Sequence, residues 1–291
     1  MTKIGFVGAG RIGSTSAYAT LYDVDCDEIA LVDLVEDLAA GEAMDLETAA
    51  IAMGKNVIVE GGNDYSLLKN SDIIVVSAGI ARKVGTTRLD LTKTNAGIVQ
   101  DIIKKICQHA QDAILILTTN PVDVMTYVAY KASGKPRNEV MGMGASHDTA
   151  RLREQILRLG IEETDAMVIG EHGDSMVCLK GQTKIKSKEW EIATKATKER
   201  GMEIIKRKSA TYYAPASCVA KIVKAIVSDE NAVMPVSIAL EGEYGLRDVA
   251  IGMPAIIGKH GAKVLECELS KEEMITLKES AKVVKKTLKE I

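Results

Sequence analysis

The chain has 291 residues, 46% of them hydrophobic, and a formal net charge of -3. At roughly 100–200 residues per domain this is material for two domains, and acids interspersed with lysine and arginine offer no basic field for nucleic acid or anionic lipid. Five scattered cysteines without a Cys-x-x-Cys pair, no apolar run near the ~20 residues of a membrane span, and a start lacking a secretory leader pattern read as a cytoplasmic protein with reduced thiols.

Short aliphatic runs then alternate with helix-period segments. Residues 3–7, 28–32, 57–59, 72–77, 113–117 and 139–143 read as strands buried on both faces, bounded by Gly, Asp or Asn. Helices are expected near 12–21, 38–52, 92–109 and 122–132. Strands separated by such crossovers imply an α/β fold, a doubly wound parallel sheet that takes ligands at the carboxyl ends of its strands.

After about Gly144 the rhythm changes, which divides the chain into a first domain, 1–144, and an α+β second domain, 145–291. Expected there are a helix near 148–159, strand-like pieces at 167–169 and 176–179, and long helices at 188–208 and 215–228. Val219, Ile222, Val223, Ile226 and Val227 mark one apolar face of the last of these. Strands are expected at 233–240 and 249–257. A closing helix is announced by Ser270 and Glu273 at capping-box spacing. Its stripe of Met274, Leu277, Ala281, Val284 and Leu288 is expected to pack on the core.

Gly8-Ala9-Gly10-Arg11-Ile12-Gly13 follows the first strand and opens the first helix. This is the dinucleotide fingerprint of the Rossmann arrangement: one glycine for the turn, one for close approach of a pyrophosphate, one for helix–strand packing. Asp33 ends the next strand twenty residues after Gly13, where a carboxylate can accept both ribose hydroxyls. That charge, with Glu36 and Asp37 nearby, would repel the extra phosphate of NADP, so NAD is the expected cofactor.

A second polar constellation lies in the other half. His172 stands in Gly170-Glu171-His172-Gly173-Asp174-Ser175, between two strand-like pieces, where a side chain can face a cleft. Asp148 and Arg151 are spaced i, i+3 and share a helical face. One can hold the imidazole while the other binds an anionic group.

These motifs, together with Thr119-Asn120-Pro121-Val122-Asp123 and Gly242-Glu243-Tyr244-Gly245, resemble the lactate/malate dehydrogenase family over nearly the whole chain, and more closely its shorter archaeal malate-specific members. The resemblance implies His172 as general acid/base and Asp148 as its orienting carboxylate. Arg151 would clamp the reacting end's carboxylate, and Asn120 would touch substrate and cofactor. Asn95 and Thr118, Thr119 and Asn120 would line the NAD site, with Thr211 bounding the substrate pocket beside the nicotinamide. It also implies a homodimer or tetramer, and no metal.

Residues 78–91 resemble the family's active-site loop. By that resemblance Arg88 would polarise the substrate carbonyl and Arg82 would read its far end. Malate and oxaloacetate carry a second carboxylate there, lactate and pyruvate a methyl, so Arg82 favours the dicarboxylate. Val84 departs from the proline expected in this loop. His147 departs from an apolar residue beside Asp148; it is expected to point away along the helix, or else to compete for Asp148 when protonated. The rival readings are an L-lactate dehydrogenase and, in a different class, a non-catalytic NAD-sensing module.

Overall fold

The computed structural model describes residues 1–80, 87–162 and 164–291. Its first half forms strands β1 (Lys3–Val7), β2 (Glu28–Val32), β3 (Ile58–Gly62), β4 (Ile73–Val76), β5 (Ile114–Leu117) and β6 (Val140–Gly142). Helices α1 (Arg11–Asp23), α2 (Glu36–Ala52), α3 (Arg88–His109) and α4 (Val122–Ser133) connect them. The strands lie parallel in the spatial order β3-β2-β1-β4-β5-β6. All four residues of β4, Ile-Ile-Val-Val, are buried, as are all four of β5. Helices cover both faces of such a sheet, which is why these strands read as continuous apolar runs.

The second half comprises α5 (Gly144–Arg158), β7 (Met167–Ile169), β8 (Val177–Leu179), α6 (Ser187–Lys208), α7 (Tyr213–Val227), β9 (Ala232–Glu241), β10 (Arg247–Gly258), β11 (Gly261–Val264) and α8 (Lys271–Lys289). Strands β9, β10 and β11 continue the same sheet antiparallel beyond β6, giving nine strands among the described residues. The junction is a single pair, Gly142 with Ser237. A side chain at Gly142 would meet Thr126 Oγ1 at 2.3 Å and Ser237 Cβ at 3.1 Å, so the backbones close here only with glycine. Strands β7 and β8 form a separate hairpin.

Helix α8 begins with the expected reciprocal cap: Glu273 N donates to Ser270 Oγ at 3.2 Å and Ser270 N to Glu273 Oε2 at 2.8 Å. Its Leu277, Ala281 and Val284 are buried in the main hydrophobic core, as are Val219, Ile222, Val223 and Ile226 of α7. Full burial of each such aliphatic side chain contributes about 1.5–3 kcal/mol. No helix among the described residues is long and apolar enough to cross a membrane. The five cysteines are free and partly buried; burial pushes the thiols of Cys26 and Cys178 up to about 11 and that of Cys218 to about 12. These three thiols are therefore protonated near neutral pH.

Candidate active site

Strand β1 runs into Gly8, whose φ of 102° is a left-handed value that L side chains avoid. A Cβ on Gly13 would lie 1.7 Å from Gly8 O, so the first turn of α1 packs on the strand end only with glycine there. Gly10 is the opposite case, with nothing within 4 Å of a Cβ built on it. It is also the N-cap of α1 and supplies no side-chain cap. The first-turn amides of Arg11, Ile12 and Gly13 thus have no intrahelical acceptor, and the positive end of the helix adjoins open space. Ala78 N donates to Val7 O at 3.0 Å and Ser77 Oγ to Gly8 O at 3.0 Å, which fastens the end of β4 beside that turn. The chain leaves β1 and β4 in opposite directions, so this is the switch point of the sheet.

Asp33 follows β2. Its Oδ2 accepts Ala9 N at 2.7 Å and its Oδ1 accepts Val35 N at 2.9 Å. The carboxylate therefore braces the glycine turn, and each oxygen retains a lone pair for a hydroxyl. Uncapped helix amides, the open face at Gly10 and a strand-end carboxylate together fit a dinucleotide.

The far wall is built by struts. Asn95 of α3, 2% exposed, accepts Ile80 N at 2.9 Å through Oδ1 and donates Nδ2 to Asn120 O at 2.9 Å. Thr118 N donates to Val76 O at 2.9 Å, and Thr119 Oγ1 to Ala78 O at 2.7 Å. Asn95, Thr118 and Thr119 are thus buried members of the scaffold, whereas Asn120 is exposed, at the cis peptide before Pro121. Thr211 immediately precedes Tyr212, the N-cap of α7. Lys208 and Tyr213, with Arg11 adding to them, hold the Tyr212 phenol below its usual range. Helix α7 packs on α1, which puts Arg11 of α1 near enough to act on Tyr212 at the start of α7.

The loop 170–175 leaves β7, and its Gly170 exchanges two 2.8 Å hydrogen bonds with Gly252 of β10. His172 Nδ1 lies 2.6 Å from Asp148 Oδ2, and Arg151 NH1 donates to Asp148 Oδ1 at 3.0 Å. One carboxylate, with no exposed side-chain surface, is shared between an imidazole 16% exposed and a guanidinium 12% exposed. The bond to Asp148 occupies Nδ1, and Nε2 has no hydrogen-bond partner among the described residues. Burial opposes the charged imidazolium. The charge and hydrogen bond of Asp148, with Asp123 behind them, outweigh it and hold His172 above its ordinary value. Burial likewise opposes the Asp148 carboxylate, but His172 and Arg151 hold its pKa below the usual range. Such a cluster can serve as an anion-binding guanidinium beside an oriented acid/base.

Two family models cover the chain: residues 2–142 match the lactate/malate dehydrogenase NAD binding domain, and residues 146–291 match the alpha/beta C-terminal domain of the same enzymes. The chain belongs to the lactate/malate dehydrogenase family. It is 50% identical to a malate dehydrogenase of Archaeoglobus fulgidus, over 99% of each chain. It is also 38% identical to an L-lactate dehydrogenase of Kosmotoga olearia, over 99% of this chain and 96% of that one. The structure of the Archaeoglobus fulgidus enzyme in complex with NADH superposes with a TM-score of 0.97, covering 99% of each chain. Malate dehydrogenase from Salinibacter ruber, 33% identical, superposes at 0.91 over 99% of this chain and 97% of that one.

Not every residue singled out from the sequence can be followed in this family member. Arg82 and Val84 lie outside the described residues, as does the side chain of Arg88, which opens α3. The expectation for His147 is corrected: its ring does not point away but lies 6.0 Å from that of His172, buried, with Nε2 unpartnered. Burial, with Arg151 and His172 adding to it, pushes its pKa down to about 3. A neutral imidazole does not compete for Asp148 at working pH.

Two residues of the site carry no role in the sequence reading. Asp123 Oδ2 accepts the backbone N–H of His172 at 2.6 Å. Ser280 of α8 accepts Glu171 N at 2.7 Å, and Ser175 Oγ donates to Glu171 Oε2. The loop is therefore gripped by α4, α5, α8 and β10 together. The signal for Asp123 was present in its motif; that for Ser280 was only a polar residue interrupting an apolar stripe.

Proposed function

We propose that the chain catalyses reversible hydride transfer between L-malate and NAD, giving oxaloacetate and NADH. The observation that carries this reading is the single buried Asp148 joining His172 to Arg151, in a chain half identical to a malate dehydrogenase. The nicotinamide, when bound, accepts the hydride from the hydroxyl-bearing carbon. Gly8, Ala9, Gly10, Arg11, Ile12 and Gly13 would hold the pyrophosphate, and Asp33 the ribose. The acids Glu36 and Asp37 in the first turn of α2 disfavour the extra phosphate of NADP.

His172 Nε2 takes the hydroxyl proton, and Asp148 keeps the ring in the tautomer whose Nε2 is free. Arg151 presents a planar fork to the carboxylate next to the reacting carbon, which sets orientation as well as affinity. Arg82 pairs with the second carboxylate, Arg88 polarises the carbonyl, and Asn120 and Thr211 complete the pocket. Residues 1–144 serve the cofactor and 145–291 the substrate. The enzyme works in the cytosol as a dimer or tetramer, supplying or consuming a four-carbon oxoacid.

Comparing NADH oxidation with oxaloacetate and with pyruvate tests the substrate. A preference of roughly 10³-fold or more for oxaloacetate in kcat/KM is expected, because a site built around a polar group rejects the analogue lacking it. Equal turnover of pyruvate would return the reading to a lactate dehydrogenase, and no turnover of either to a non-catalytic NAD module. The pH dependence follows from the raised pKa of His172. Oxaloacetate reduction needs the imidazolium, so its kcat/KM should fall as pH rises past that pKa, at higher pH than for a free imidazole. Malate oxidation needs the neutral ring and should rise over the same interval. Steady-state profiles in both directions read this, and coincident slopes of one sign would contradict it.

A further inference from the structure

We propose that Asp123 is a positioning residue for proton transfer, holding the backbone of His172 from behind and lending its negative charge to the imidazolium. The inference rests on His172 being the proton-transfer group. Asp123 is the second residue of α4 and is 3% exposed. Its Oδ2 reaches across 49 residues of sequence to His172 N, while its Oδ1 is buried without a hydrogen-bond partner. Ser237 Oγ on β9 lies near enough to favour the ionised carboxyl, yet outside hydrogen-bonding range. An acceptor for one backbone N–H needs no charge. A carboxylate with one oxygen unpaired in a dry site is a costly way to supply it. The charge is what requires a role, and it acts on the imidazole whose backbone the carboxylate holds.

Burial pushes Asp123 up to about 6, partly offset by the His172 amide and Ser237. The other ionisable groups around the pair are Glu171 on the loop, and Asp148, Arg151 and His147 on α5. With Asp123 ionised, His172 gains attraction from two carboxylates; with Asp123 protonated, from Asp148 alone.

The test uses the full chain carrying Asp123→Asn, which keeps an oxygen acceptor and removes the charge. His172 is titrated by NMR of its imidazole without substrate, and kcat/KM is profiled against pH in both directions. The midpoint of His172 is expected to fall by about one pH unit. Oxaloacetate reduction and malate oxidation should shift to lower pH together, with NADH affinity within about twofold. Ser237→Ala, which weakens the ionised carboxyl without touching His172, should shift the midpoint the same way by less, and it decides the matter if the asparagine variant does not fold. An unmoved His172 midpoint, or both reactions falling in parallel at unchanged midpoints, would overturn the proposal. Failure of the malate reading shows separately, as a wild-type chain that does not reduce oxaloacetate although its imidazole titrates normally.

Discussion

Replacing Asp148 by asparagine is expected to lower kcat roughly 10⁴-fold in both directions while NADH still binds, an effect of the size seen when the orienting acid of a hydrolase triad becomes an amide. Asp148 has two bonds in this structure, 2.6 Å to His172 Nδ1 and 3.0 Å to Arg151 NH1. An asparagine can keep only one oxygen acceptor. If its amide oxygen stays with Arg151, its NH₂ faces Nδ1 and selects the tautomer protonated on Nε2. That ring cannot take the proton of malate. If the oxygen turns to Nδ1 instead, the buried guanidinium loses its partner. Either outcome removes the charge that holds His172 above its ordinary value against burial. Single-turnover rates and NADH fluorescence titration check this. A loss below about tenfold would mean that Asp148 does not orient the base. Asp148→Asn combined with His172→Asn should be little worse than either alone, since residues acting as a unit do not add.

The first half of the fold was legible because its signals are local. Strand β1 and helix α1 are joined by a glycine turn whose spacing is set by contacts within six residues, and the aliphatic run of β4 admits hardly any other placement. The extension of the sheet was not legible. Strands β9 and β10 were expected as strands, but their attachment to β6 rests on one residue pair, Gly142 with Ser237, about ninety-five positions apart. Strand β11, Gly-Ala-Lys-Val, is too short and too polar to stand out, and pairing with β10 makes it a strand.

The same contrast runs through the site. Asp148 and Arg151 could be placed on one helical face from spacing, but not that His172 and Arg151 would take the two oxygens of the one Asp148 carboxylate, because that depends on a loop two dozen residues away. His147 was misjudged because α5 begins at Gly144 rather than near 148. The extra turn is helical and carries His147 inward. A side chain at Gly144 would come within 2.8 Å of His172, which is why the loop can close so tightly over this turn. Asp123 stood in the sequence only as the last residue of a motif, and its contact with the loop of residues 170–175 joins positions 49 residues apart.

Arg82→Gln is expected to reverse the substrate preference, with oxaloacetate turnover falling roughly 10³–10⁴-fold and pyruvate turnover equal or higher. Oxaloacetate and pyruvate share the carboxylate next to the reacting carbonyl, so the contact proposed for Arg151 is common to both and cannot discriminate. The difference lies at the far carbon, a carboxylate in one and a methyl hydrogen in the other. A guanidinium matches the carboxylate with two parallel charge-assisted hydrogen bonds. Against pyruvate it would be left charged and unpaired in a site emptied of water, which is where rejection of roughly 10⁴–10⁵-fold arises. An amide at 82 cannot form the ion pair, and it imposes no comparable penalty when unpaired. Residues flanking this segment are well anchored: Ile80 is bound by Asn95, which also holds Asn120, and Thr87 Oγ1 accepts Asp90 N at 3.1 Å to cap α3. The exchange of one side chain should therefore leave the cofactor site and the proton-transfer pair intact, and the KM for NADH should not move. If both substrates lose turnover together, Arg82 is needed for a step common to them, and the choice between malate and lactate lies with another residue.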